Sequence, residues 1–149
     1  MHTVTHSLAT EELAAPREEF YRKALLALNA ARVPYLIGGG FAFDYYTGLH
    51  RPSKDFDIFI REEQIRDALA AMEGMGCETD LKFPHWLGKA FFEDLFIDFI
   101  FNSGNGVAGV DDQWFDHAEE AELFGAPVLM APGEEIIWSK SFIMERERY

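Results

Sequence analysis

Disulfides, a membrane anchor and a basic surface are all missing from this 149-residue chain. Cys77 is the single cysteine, so no disulfide can form within the chain, and the residue reads as a small buried apolar side chain. No apolar run reaches the ~18 residues that a membrane-spanning helix needs. The N-terminal MHTVTHSLATEE has neither the basic head nor the apolar middle of a secretion signal, so the expected location is the cytoplasm. Basic residues are scarce, with 13 Lys and Arg against 26 Asp and Glu, a formal net charge of −13. A field of that sign repels phosphate backbones and argues against nonspecific nucleic-acid binding. It still permits a nucleotide held at one site through metal, and it attracts cationic small molecules.

The residues that are abundant describe a folded globule. Hydrophobic residues make up 48% and aromatics 15%, including 14 Phe, whereas disordered chains are poor in aromatics. The length suits one domain over residues 1–149, with 1–15 as a loose tail. Pro16 suits a first helical turn, and Phe20, Ala24, Ala27, Leu28 and Ala31 then recur at helical spacing. Tyr35-Leu36-Ile37 reads as a strand that stops at Gly38-Gly39-Gly40. A short helix over about 41–47 follows, closed by Gly48. Residues 55–60 form a second strand, and Ile65, Ala68, Leu69, Met72 and Met75 mark an amphipathic helix ended by Gly74 and Gly76. Three strands are expected near 77–83, 89–92 and 95–101, with Glu93-Asp94 turning the last hairpin. Residues 102–112 read as irregular, 122–130 as a hairpin turning at Gly125, and 133–149 as a last helix. Helices interleaved with a mixed β-sheet give an α/β (α+β) fold.

Four features carry chemistry. Asp55 and Asp57 are two apart on a strand and share one face, with Phe56, Ile58 and Ile60 on the other. Two convergent carboxylates repel unless a cation lies between them, and Mg²⁺ favours carboxylate and phosphate oxygens. A solvated acidic strand face is the plainer alternative. Asp98 sits inside Leu95-Phe96-Ile97-Asp98-Phe99-Ile100-Phe101, where an unpaired carboxylate is costly to bury; alternation puts it with Phe96 and Ile100. A half-exposed edge strand, or a local partner such as an arginine, would also account for it. Gly38, Gly39 and Gly40 leave a helix start without Cβ crowding, able to cradle phosphate, although a tight turn explains them equally. Lys140 falls on an apolar stripe between Ile136 and Ile143, where a buried carboxylate cluster, a triphosphate or simple snorkelling would account for it. Trp86 and Trp114 read as core or wall residues that could also stack on a base. Asp111-Asp112 and Asp116-His117 read as solvated loop, and His85 and His117 lack a metal-site spacing.

Together, GGGFAFDYYTGLHRPSKDFD over residues 38–57 resembles the signature of the DNA polymerase β-like nucleotidyltransferase superfamily. The matching parts are a glycine pair at a strand end, a short helix, then Arg51-x-Ser53-x-Asp55-hydrophobic-Asp57, with Asp98 on a later hydrophobic strand. The small antibiotic-type members are most similar, namely lincosamide and aminoglycoside nucleotidyltransferases and AbiEii-like proteins. Asp44 matches an acidic residue in their short helix, and Lys140 a lysine on the helix after the catalytic sheet. The resemblance covers roughly residues 33–146. The departures are Lys54 beside the acids and an end at Arg146-Glu147-Arg148-Tyr149, where relatives continue into further helices that often bind the acceptor. A shortened piece or a minimal version is therefore expected.

The resemblance implies transfer of a nucleoside monophosphate from an NTP to a hydroxyl of a small-molecule acceptor, with Mg²⁺ or Mn²⁺ as cofactor. It implies that Asp55, Asp57 and Asp98 are both metal ligands and catalytic residues. It implies that Gly38, Gly39, Gly40, Arg51, Ser53 and Lys140 bind nucleotide, with a structural ion pair as the alternative for Arg51. A homodimer through the last helix is a further expectation. Two other readings remain: a catalytically silent binding module of this fold, and a toxin-type nucleotidyltransferase paired with an antitoxin.

Overall fold

The computed structural model describes residues 8–48, 56–83, 86–102 and 109–132. The expected last helix, and the candidate residues Arg51, Ser53, Asp55 and Lys140, lie outside the described residues.

A seven-stranded mixed sheet forms the body of the protein. Its strands are β1 (Leu36–Ile37), β2 (Asp57–Phe59), β3 (Glu78–Phe83), β4 (Leu87–Phe92), β5 (Leu95–Ile100), β6 (Glu119–Leu123) and β7 (Ala126–Met130). They lie in the order β3-β4-β5-β2-β1-β7-β6. β2 runs parallel to β5 and β1 parallel to β7, while the other neighbours are antiparallel. Helices α1 (Leu8–Ala30), α2 (Gly39–Thr47), α3 (Ile65–Gly74) and α4 (Asp112–Asp116), with a short 3-10 turn over Glu62–Gln64, complete the described elements. This is the α/β arrangement expected from the sequence.

Apolar spacing explains which faces the helices bury. Phe20, Tyr21, Ala24, Leu25 and Leu28 form one stripe of α1, and Ile65, Ala68 and Met72 one stripe of α3; all are buried. Both stripes pack on one sheet face: Phe92 stacks on Phe20 with centroids 5.7 Å apart, and Gly88 lies under Ile65 and Leu69. Each fully buried Leu, Ile or Phe contributes about 1.5–3 kcal/mol through the apolar surface it removes from water. Cys77, Trp86 and Trp114 all belong to this core, with Cys77 7% exposed and its thiol pushed up by burial.

Three expectations need correction. The first helix does not start at Pro16 but at Leu8, inside the stretch read as a loose tail; LATEELAA is rich in strong helix formers, and their propensity carries the helix through Pro16 despite its missing N–H. The last hairpin starts at Glu119 rather than Glu122, because backbone pairing with β7 extends through exposed, charged residues that give no apolar signal. The acidic stretch from Asp111 is a short helix rather than a loop. Asp111 caps α4 by accepting a hydrogen bond from the Gln113 backbone N–H at 3.0 Å, and Asp112 pairs with Arg61 at 2.9 Å.

Candidate active site

The central strands bring Asp57 and Asp98 together. Asp57 on β2 is the register partner of Asp98 on β5, and the two strands are parallel. Register partners project from the same face of a sheet, and adjacent strands lie about 4.8 Å apart. Both residues are only 1% exposed. Asp98 is therefore neither half-exposed nor on an edge strand, since β5 lies between β4 and β2. Its face is the one away from α1 and α3, as alternation from Ile97 and Phe99 requires.

The same row continues onto β4. Lys89 is the register partner of Asp98, and its Nζ donates to Asp98 Oδ1 at 2.5 Å. The ammonium also lies 4.3 Å from the Phe96 ring centroid. Of the alternatives the sequence leaves open for Asp98, the local partner applies, and it is a lysine from the neighbouring strand rather than an arginine. Beyond it, exposed Asp80 on β3 pairs in register with Lys89.

On the other side of Asp57 lies the glycine turn. The Gly38 N–H donates to the Asp57 carbonyl at 3.0 Å, which seats the turn at the end of β1. Gly38 is extended, with φ −126°. It is required for space rather than conformation, because a Cβ there would lie 2.6 Å from the Phe59 ring. Gly39 is required on both counts. Its φ is +57°, and a Cβ would lie 2.2 Å from Asp57 Oδ2. The Asp57 carboxylate thus rests against the first residue of α2, at the end of the helix where backbone N–H groups favour negative charge. Gly40 is the second residue of that helix, and Asp44, one turn on, is 9% exposed. The helix ends as expected at Gly48, with φ +77°.

These donors fit a hard divalent cation. Mg²⁺ and Mn²⁺ take one or two carboxylates and complete their shells with water and phosphate oxygens. Among the described residues no group of three or more Asp, Glu, His or Cys comes together. The expected third ligand, Asp55, lies outside them.

The fold and the site lead to known proteins. The aminoglycoside-2''-adenylyltransferase family model matches residues 22–94, just under half of the chain and ending before β5. The crystal structure of ANT(2'')-Ia in complex with adenylyl-2''-tobramycin superposes with a TM-score of 0.66 at 22% identity, over 88% of this chain and 78% of that one. A candidate nucleotidyltransferase from Thermotoga maritima gives 0.63 at 14% identity, over 99% and 93%. Lincomycin-bound LnuA, a lincosamide antibiotic adenylyltransferase, gives 0.59 at 18%, over 82% and 83%. No curated protein matches the sequence. The chain has the nucleotidyltransferase fold. The resemblance to antibiotic-type nucleotidyltransferases, read from the glycine and aspartate blocks of the sequence, points to the same group of proteins. No helix among the described residues is long and apolar enough to cross a membrane.

Proposed function

We propose that this nucleotidyltransferase moves the adenylyl group of ATP onto a hydroxyl of a cationic, antibiotic-like small molecule. One observation carries the reading: Asp57 and Asp98 lie side by side, buried, on adjacent parallel strands, with the Gly39 turn against Asp57. The adenylyltransferase family model and the two antibiotic-bound neighbours support the donor and acceptor classes.

Asp55, Asp57 and Asp98 would hold Mg²⁺ or Mn²⁺, which when bound neutralises phosphate charge and polarises the transferring phosphorus. The N–H groups at the start of α2, from Gly39 and Gly40, face the outer phosphates, with Gly38 making room for the turn. Arg51, Ser53 and Lys140 are assigned to the phosphates as further donors. The acceptor hydroxyl gives its proton to Asp98 while its oxygen bonds to the α-phosphorus. The bond from that phosphorus to the bridging oxygen breaks, and pyrophosphate leaves. A reaction fed by ATP and Mg²⁺ belongs in the cytoplasm.

The test is mass spectrometry after incubation with Mg²⁺, each of the four NTPs and a panel of aminoglycosides and lincosamides. The expected result is an acceptor heavier by one nucleoside monophosphate, formed with ATP. Asp57→Asn and Asp98→Asn should each lower the rate at least about a thousandfold, the equivalent of several kcal/mol of lost charge stabilisation. Nucleotide binding without product in the native protein would favour the silent binding module instead.

A further inference from the structure

Lys89 is the unexpected member of the aspartate row. It reaches Asp98 from the neighbouring strand, keeps its side chain only 19% exposed, and packs its ammonium over Phe96. A lysine held this way loses side-chain freedom and hydration, so its contact with Asp98 has to return that cost. The return is electrostatic. Two carboxylates, each 1% exposed, sit on adjacent strands, and a positive charge beside them offsets their repulsion.

We infer that Lys89 is a resident counter-ion of the site, holding Asp98 in place in the metal-free protein and competing with the divalent cation for the same carboxylate. The inference rests on the metal-binding reading above. Its logic is linkage. A divalent cation and an ammonium on one carboxylate repel each other, so each weakens the hold of the other by the same factor. Lys89 therefore has opposite effects on two quantities. It stabilises the empty site, and it lowers the affinity for metal. A lysine that merely fills space would change the first and leave the second alone. Lys89 is a positioning residue on this argument, since it acts through Asp98.

The test compares native protein with Lys89→Met, which keeps most of the stem and removes the charge, and with Lys89→Arg, which keeps the charge. Thermal unfolding is measured without metal and with Mn²⁺, and Mn²⁺ affinity by calorimetry, all without nucleotide or acceptor. Lys89→Met is expected to melt several degrees lower when metal-free, to gain more from Mn²⁺ than the native protein does, and to bind Mn²⁺ about tenfold more tightly. Lys89→Arg is expected to behave like the native protein on all three measures. Equal Mn²⁺ affinity in native protein and Lys89→Met overturns the inference while leaving the proposed function standing. No Mn²⁺ response in any of the proteins overturns both. Should Lys89→Met not fold, the double variant Lys89→Met, Asp98→Asn decides. A folded double variant shows that the missing charge was at fault, and an unfolded one shows that lost packing was, which overturns the inference.

Discussion

Gly39 and Asp57 are coupled by contact, so the smallest possible change at residue 39 reports on the site. A methyl group there meets Asp57 Oδ2 at 2.2 Å, and the φ of +57° adds about 1–2 kcal/mol of left-handed strain for any residue with a Cβ. Gly39→Ala is expected to destabilise the protein by about 3 kcal/mol or more, read from urea unfolding, and to abolish transfer, because Asp57 has to move. A variant with near-native stability and rate would mean that the carboxylate does not rest on the turn. Tyr35 offers a separate test by pH. Burial pushes its phenol well above the ordinary tyrosine range, outweighing the hydrogen bond to Asn29 Oδ1 at 3.0 Å, which pulls it down. The folded state thus keeps a proton that the unfolded chain gives up near pH ~10. Stability from this group is complete below that pH and is lost as pH rises above it. Tyr35→Phe should lose roughly 1 kcal/mol at neutral pH with the hydrogen bond, yet fall less steeply than the native protein above pH ~10. Parallel pH curves for the two proteins would contradict this.

The two hairpins show what an element demands and when packing overrules it. Glu93 turns β4 into β5 with φ +57°, where glycine is preferred at the first position of a two-residue turn. Nothing in the sheet requires a side chain there, so Glu93→Gly is expected to raise stability by about 1 kcal/mol in a thermal melt. Phe124 has the same strain, at φ +54°, before Gly125 at +82°. Asparagine would suit that turn better, but the Phe124 ring packs 5.7 Å from Phe41 and 6.0 Å from Tyr21. Phe124→Asn is therefore expected to destabilise despite relieving the turn, by about 1–3 kcal/mol. Elements of this kind were readable in the sequence wherever period and turn residues agreed: β1, α2, α3, the β4–β5 turn and the Gly125 hairpin. So was the placing of Asp98 with Phe96 rather than with Ile97. Lys89 was missed although the signal existed. A turn at Glu93-Asp94 pairs Phe92 with Leu95 and, counting back, Lys89 with Asp98. What no local pattern could give is the pairing of β2 with β5, since the two strands are far apart in sequence and meet only in the folded sheet. The short helix α4 was hidden for a related reason. Its acids read as loop until Asp111 is seen to cap it and Arg61, two residues past the end of β2, is seen to hold Asp112.

At the scale of the whole molecule, the charge of −13 acts on both proposed substrates with opposite sign. A polyammonium acceptor is drawn toward the protein, and a magnesium–ATP complex, itself an anion, is repelled from it. Salt screens both effects once the Debye length shrinks to about 10 Å, near 0.1 M. Raising ionic strength from low values is therefore expected to lower kcat/KM for a cationic acceptor, more steeply for one with four ammonium groups than for one with a single amine. The same change should leave kcat/KM for ATP level or raise it. Steady-state kinetics at a series of salt concentrations, with each substrate varied while the other is saturating, separates the two. In the proposed reaction the nucleotide would be held through cation and helix N–H groups in a buried row, where screening is weak, so the salt response of ATP would report the long-range field and not the site. If both substrates lose kcat/KM in parallel with salt, general weakening of the protein explains the result and the acidic surface has no part in selecting a cationic acceptor. If only the acceptor does, in proportion to its charge, then the surplus of acidic side chains outside the site works for the reaction as well as for solubility.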